Sequence, residues 1–328
     1  MRPIAFVVML TSLGAGSLGT LAASAAAQLP AGATVVPTRY SEGRWIARPV
    51  GASGDTLDLY TDSGGGFVFV VRDRLPAGAP LTPSEALPNG DTSYTTAWPA
   101  FAGLPEPRGR SAAKTFTARA DAFAAMMNGA PPAHDGFLGN GWFADRVWRF
   151  DYPAHTLALL PDGSAPRSLG GTTVPLAFRG DDARAPQRMG RVRVAVDGDS
   201  LDLLFDTGAT TLLTDSATAA IGDGRPASRA ASFITRSVFD RWHARHPDWR
   251  VVPRAEVGSG ADMIEVPAIE AGGVRSGPVW FTARADRNFH QYMAQWTDRP
   301  LDGALGGSGL MYYRVTADYP HSRVTFER

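Results

Sequence analysis

The stretch LDLLFDTGATTLLT, residues 201–214, ends an apolar run on an acid, a hydroxyl and a glycine: Asp206, Thr207 and Gly208. A carboxylate is costly in apolar surroundings unless something there needs it. The same arrangement occurs upstream in LDLYTDSGGGFVFV, residues 57–70, centred on Asp62, Ser63 and Gly64. GDTLDLYTDSG (54–64) aligns without a gap on GDSLDLLFDTG (198–208).

The likeness extends along the chain. FTARADAF (116–123) matches FTARADRNF (281–289), and DGFLGNG (135–141) matches DGALGGSG (302–309). Each is followed by an aromatic-rich strand and Asp-Tyr-Pro, at 151–153 and 318–320. Blocks recurring in one order mark an internal duplication. The copies cover about 33–160 and 172–328, separated by the Pro-, Gly- and Ser-rich PDGSAPRSLGG (161–171). Each copy is too long for a solenoid unit and reads as a lobe, with the boundaries drawn at 28–165 and 166–328.

The periodicity is that of strands. Val192, Val194 and Val196 alternate, Asp197-Gly198 makes a hairpin turn, and Leu201, Leu203 and Phe205 resume the alternation. RVTADYPHSRVTF (314–326) is a second hairpin, turning at 319–322. Val35-Val36-Pro37 echoes Thr173-Val174-Pro175, so a first strand near residue 35 is favoured over a short propeptide. In SFITRSVFDRWHARHPDW (232–249), Ile234, Val238, Phe239 and Trp242 share a helical face, a helix the first copy lacks.

Composition narrows the chemistry. The 328 residues carry 32 basic and 32 acidic side chains, so no net field draws nucleic acid. Cysteine is absent, which excludes disulfides, thiolate metal sites and cysteine nucleophiles. No metal or cofactor is called for: His243 and His246 have no glutamate between them and read as a solvated helix end. Residues 1–27 combine Arg2, an apolar run and Ala25-Ala26-Ala27, and read as a secretory signal peptide. The expected location is therefore the periplasm or the exterior, with no membrane span after cleavage.

Glycine after the acid and hydroxyl allows a sharp turn, and Ser63 and Thr207 can hydrogen-bond locally to hold it. If the lobes are related by a pseudo-twofold axis, Asp62 and Asp206 meet there and share one proton. Such a pair can activate water against an amide carbonyl and protonate the leaving nitrogen.

Here the chain resembles the pepsin/retropepsin aspartic peptidases. The resemblance rests on the Asp-Thr/Ser-Gly loops, the following Phe137-Leu138-Gly139 and Ala304-Leu305-Gly306 blocks, and the closing strands, and it covers both repeats. It implies a mainly β, bilobal fold, with barrel-like lobes and a short helix inserted in the second. It also implies an endopeptidase acting on extended peptides, with Asp62 and Asp206 catalytic and Ser63, Gly64, Thr207 and Gly208 supporting the loops. A hairpin flap is expected in LPNGDTSYTTAW (87–98), with Tyr94 at its tip against the substrate; residues 257–266 would be its counterpart. A doubled chain already holds both halves of the dyad and is expected as a monomer. The alternative is a catalytically inactive peptide-binding or envelope protein on the same scaffold. One departure stands out: Gly65 and Ala209 bring no hydroxyl to the acids, which implies a pH optimum less acidic than pepsin's.

Asp135 and Asp302, and likewise Asp151 and Asp318, are expected to serve turns. His134, beside Asp135, is expected on a turn surface. Arg119 with Asp121 and Arg284 with Asp286 are expected as repeated strand-end ion pairs.

Overall fold

The computed structural model describes residues 29–51, 53–66, 68–87, 90–107, 115–122, 134–164, 172–180 and 188–328. The leader read at residues 1–27 lies outside them.

The first repeat supplies β1 (Thr34–Val35), β2 (Thr38–Ser41), β3 (Arg44–Ala47), β4 (Leu59–Thr61), β5 (Val68–Val70), β6 (Thr82–Ala86), β7 (Thr92–Thr96), β8 (Thr115–Thr117), β9 (Gly136–Leu138), β10 (Val147–Asp151) and β11 (Thr156–Leu160). The second begins with β12 (Thr172–Pro175), β13 (Arg191–Val196), β14 (Asp199–Phe205), β15 (Thr210–Leu212), β16 (Ser228–Ala230), β17 (Ser232–Thr235), β18 (Val251–Val252) and β19 (Met263–Val266). It ends with β20 (Ile269–Ala271), β21 (Val274–Ser276), β22 (Val279–Arg284), β23 (Gly303–Leu305), β24 (Arg314–Asp318) and β25 (Arg323–Glu327).

The duplication is visible in the strand order. One sheet runs β2-β3-β4-β9-β5-β8-β7-β6, and another β21-β20-β13-β14-β23-β17-β22-β19-β18. From β3 and from β13 onward the two sequences of strands are equivalent. In each, the strand before the acid lies parallel to the strand of the apolar–Gly block: Thr61 opposite Leu138, and Phe205 opposite Leu305. A third sheet, β1-β11-β10-β24-β25-β12, reads the same from both ends and joins the repeats. Its central pair places Asp151 opposite Arg314, Arg149 opposite Thr316 and Val147 opposite Asp318. Arg149 and Thr316 are equivalent positions of the two copies, so the pseudo-twofold axis passes through that pair. The fold is thus mainly β and bilobal, as expected. The lobe sheets run from edge to edge among the described residues; neither closes into a barrel, since β6 and β18 end their sheets as free edges.

Local chemistry explains the elements. Asp197 (φ 47°) and Gly198 (φ 85°) form the two-residue turn between β13 and β14, a left-handed pair that suits hairpin twist. Ile234 belongs to β17, not to the helix expected from its spacing, because Ser232–Thr235 pairs with both β22 and β23. The helix starts only at Arg236 and runs to Arg245, burying Val238, Phe239 and Trp242. The expected first strand forms as β1, and its echo forms as β12 at the opposite end of the joining sheet. The largest apolar cluster runs through both lobes, with Trp45, Trp142, Trp148, Phe150 and Phe205 all buried. Phe150 meets Phe205 edge-on at 5.8 Å, so burial fixes the strand that carries Asp206 to the joining sheet.

Asp135 and Asp302 do more than shape turns. Each accepts the backbone N–H of the strand beside it: Asp58 N–H to Asp135 (2.8 Å) and Asp202 N–H to Asp302 (2.9 Å). They pin β9 to β4 and β23 to β14, one residue pattern used twice. Asp151 and Asp318 cap the turns that follow them, accepting from Ala154 N–H and His321 N–H.

Candidate active site

The two repeat-equivalent loops meet at the lobe junction. Asp62 N–H donates to Leu138 O (2.9 Å) and Asp206 N–H to Leu305 O (3.0 Å), so each acid hangs from the neighbouring parallel strand. The hydroxyls hold the loops across the axis and not locally. Ser63 Oγ donates to Phe205 O (2.8 Å) and accepts from Thr207 N–H (3.0 Å). Ser63 N–H donates to Thr207 Oγ1 (3.1 Å). Ser63 and Thr207 are fully buried, so this lattice is shielded from competing water.

Gly64 and Gly208 are required for a reason other than the turn angle. Neither has positive φ. A Cβ on Gly64 would lie 2.6 Å from Asp206 Cγ, and one on Gly208 would lie 2.3 Å from Asp62 Cγ. Each glycine makes room for the opposite carboxyl. Each also donates its N–H to the acid of its own loop: Gly64 to Asp62 Oδ1 (2.8 Å) and Gly208 to Asp206 Oδ1 (3.1 Å).

The carboxyls of Asp62 and Asp206 are hydrogen-bonded to each other, although both residues keep some surface open. Burial raises Asp62 above the ordinary carboxylate range, against the lowering effect of the Asp206 bond and backbone N–H donors. Asp206 is pushed well above that range, by burial first and then by the Asp62 charge and bond. The pair therefore titrates as a unit.

Gly65 is explained by a neighbour. A Cβ there would sit 2.5 Å from the Phe137 ring and 2.8 Å from Asp62 Oδ2. At the equivalent positions the second lobe has Ala209 and Ala304. The first loop thus carries glycine against phenylalanine where the second carries alanine against alanine. Phe137 also stacks on Tyr60 at 5.8 Å. The Tyr60 hydroxyl crosses to the other lobe, donating to Gly208 O (2.7 Å) and lying 2.6 Å from Thr210 Oγ1. Neither aromatic was assigned a role from sequence. Tyr60 aligns with Leu204, and that break in the repeat was the available signal.

A pocket of about 250 Å³ opens beside Asp206 and Gly64, walled by Leu204, Phe233, Arg284 and Tyr292. Arg284 does not pair with Asp286. It forms a bidentate pair with Glu256 (2.7 Å on each arm) and lies over the Phe233 ring. Asp286 accepts from Ser237 N–H instead. The copy-one pair holds as expected, Arg119 to Asp121 at 2.9 Å on an exposed edge. Tyr292 is 64% exposed and belongs to a π-helical turn, Asn288–Tyr292, that sequence periodicity did not signal.

Tyr94 lies within β7, paired with β6, and not at the hairpin tip. It pairs with Pro83 and Thr117, and its ring lies under the Arg72 guanidinium at 4.3 Å. The strand ladder places it on the hairpin stem.

No protein-family model and no curated protein sequence matches the chain. Among solved structures it is similar to basic 7S globulin from soybean, at 12% identity over 91% of this chain and 95% of that one, with TM-score 0.49. It is also similar to conglutin gamma, a basic 7S globulin from lupine seeds (11% identity, 90% and 94% covered, TM-score 0.48). A third is the aspartic proteinase from Irpex lacteus (12% identity, 90% and 96% covered, TM-score 0.45). None of the described helices is long and apolar enough to cross a membrane.

Proposed function

We propose that the chain is an exported aspartic-type endopeptidase, with Asp62 and Asp206 as its catalytic pair. The observation that carries this reading is the hydrogen bond between two carboxyls delivered by equivalent loops, beside an open pocket. In the singly protonated pair, the ionised acid takes a proton from a water whose oxygen attacks the scissile carbonyl carbon. The protonated acid bonds the carbonyl oxygen as charge develops, then passes its proton to the departing nitrogen. Ser63 and Thr207 fix the loops, and Gly64 and Gly208 let the carboxyls approach. The β6–β7 hairpin, with Tyr94 on its stem, would close over an extended peptide, and a single doubled chain would suffice.

The test is cleavage of an unfolded protein across pH. The wild type is expected to cut, with a rate maximum above about pH 3, because burial raises both acids and Gly65 and Ala209 supply no hydroxyl donor. Asp62→Asn and Asp206→Asn are each expected to remove at least about a thousandfold of the rate while leaving the fold intact. A wild-type rate still climbing at about pH 2 would contradict the pH reading; cleavage retained in either Asn variant would contradict the dyad.

A further inference from the structure

A second cavity, of about 290 Å³, lies in the first lobe away from the paired acids. Arg39, Ser41, Arg44, Asp58, Tyr60 and His134 face it. Arg44 is 7% exposed. Its guanidinium donates to Ser41 O (3.3 Å), Ser228 Oγ (3.1 Å) and Ser228 O (3.0 Å), all neutral acceptors. Among the described residues no carboxylate pairs with it. A guanidinium has five N–H groups, so two remain for another partner. A buried cation without a counter-charge is costly, and an anion relieves that cost.

The neighbouring charges point the same way. Asp58 is the acid on the cavity wall, and it is shared by Arg39 (2.7 Å) and Arg48 (3.0 Å). Asp135 is engaged by Arg74 and by Asp58 N–H. Three guanidiniums, those of Arg39, Arg44 and Arg48, therefore stand against one carboxylate. His134 is not on a turn surface as its sequence position suggests; its ring packs against Tyr60 at 5.1 Å. His134 Nε2 is buried and has no hydrogen-bond partner among the described residues. Burial, helped by the Arg39 and Arg44 charges, pushes this imidazole down to about 4, so it is neutral at pH 7 and offers one N–H.

We propose that this cavity binds a small tetrahedral oxyanion, phosphate or a phosphomonoester, through the guanidiniums of Arg39 and Arg44, the Ser41 hydroxyl and the His134 imidazole. Paired guanidinium donors match such an anion geometrically as well as electrically. The site stands apart from the peptidase reading, yet two of its walls reach the other lobe: Arg44 at Ser228, and Tyr60 at Gly208 beside Asp206. An anion there would be held where the first lobe grips the loop carrying Asp206.

The test is calorimetric titration of the full chain with inorganic phosphate and, separately, glycerol phosphate, at ionic strength balanced with chloride. Saturable binding at one site per chain is expected. Tighter binding of the ester would identify a phosphorylated metabolite as the natural ligand, and tighter binding of inorganic phosphate the free ion. Arg39→Gln and His134→Gln are each expected to weaken binding about tenfold, the loss of one strong hydrogen bond. Arg193→Gln, which alters an exposed arginine elsewhere, is expected to leave it unchanged. Arg39 is half-exposed, so its variant should melt as the wild type does without phosphate. Absence of saturable heat with either probe, or equal binding by all the variants, would overturn the site.

Discussion

Gly208 shows how little space separates the two acids. A methyl there would lie 2.3 Å from Asp62 Cγ, so Gly208→Ala must push the carboxyls apart. Its cleavage rate is expected to fall at least about a hundredfold, from misplacement alone. Measured kcat/KM near the wild-type value would show that the close approach is not needed. Asp206 makes a second, thermodynamic prediction. Its acid is raised in the folded state, so ionising it costs native stability. The stability linked to its proton is fully present below the ordinary carboxylate range and is lost as pH rises through the raised value. Asp206→Asn removes that loss. At pH 7 the variant should therefore be more stable than the wild type, with the difference shrinking in acid. Urea unfolding at both pH values reads this out, and a variant less stable at pH 7 would contradict it.

At the scale of elements, the loops and the strands that carry them can be separated experimentally. Gly65→Ala should clash with the Phe137 ring, and Phe137→Ala should leave a cavity, the latter costing about 3–5 kcal/mol. Together they copy the Ala209 and Ala304 pair of the other lobe. The double variant is expected to be more stable than the sum of the two single losses predicts, by at least about 0.5 kcal/mol. Strict additivity would mean that Gly65 and Phe137 do not compensate each other. This pair also marks the limit of what sequence could reveal. The Asp-hydroxyl-Gly loops, the Asp197-Gly198 turn and the closing hairpins were legible because each is local and repeated. The Phe137 contact is neither: it joins residues far apart in sequence, and it is a difference between copies. Ile234 misled for a related reason, since pairing with two strands overrode its helical spacing. Ser63 and Thr207 invite local bonds by sequence; their partners lie in the other repeat, Ser63 N–H reaching Thr207 Oγ1 144 residues away. Arg284 finds Glu256, in the connection between the paired strands β18 and β19, and not the nearby Asp286.

On the scale of the whole molecule, the duplication does its work through the joining sheet. Pairing β10 with β24 about the Arg149–Thr316 position sets the axis, and the buried aromatic cluster transmits that symmetry to the acid loops. The proposed chemistry requires this axis to make two carboxyls share one proton. Carbon-13 NMR titration of the aspartate carboxyls tests it most directly, in the wild type and in Asp62→Asn. Asp206 is expected to titrate well above the ordinary carboxylate range in the wild type, and its midpoint to fall when Asp62 loses its charge. Asp206 titrating within the ordinary range, with a midpoint indifferent to the Asp62 substitution, would contradict it.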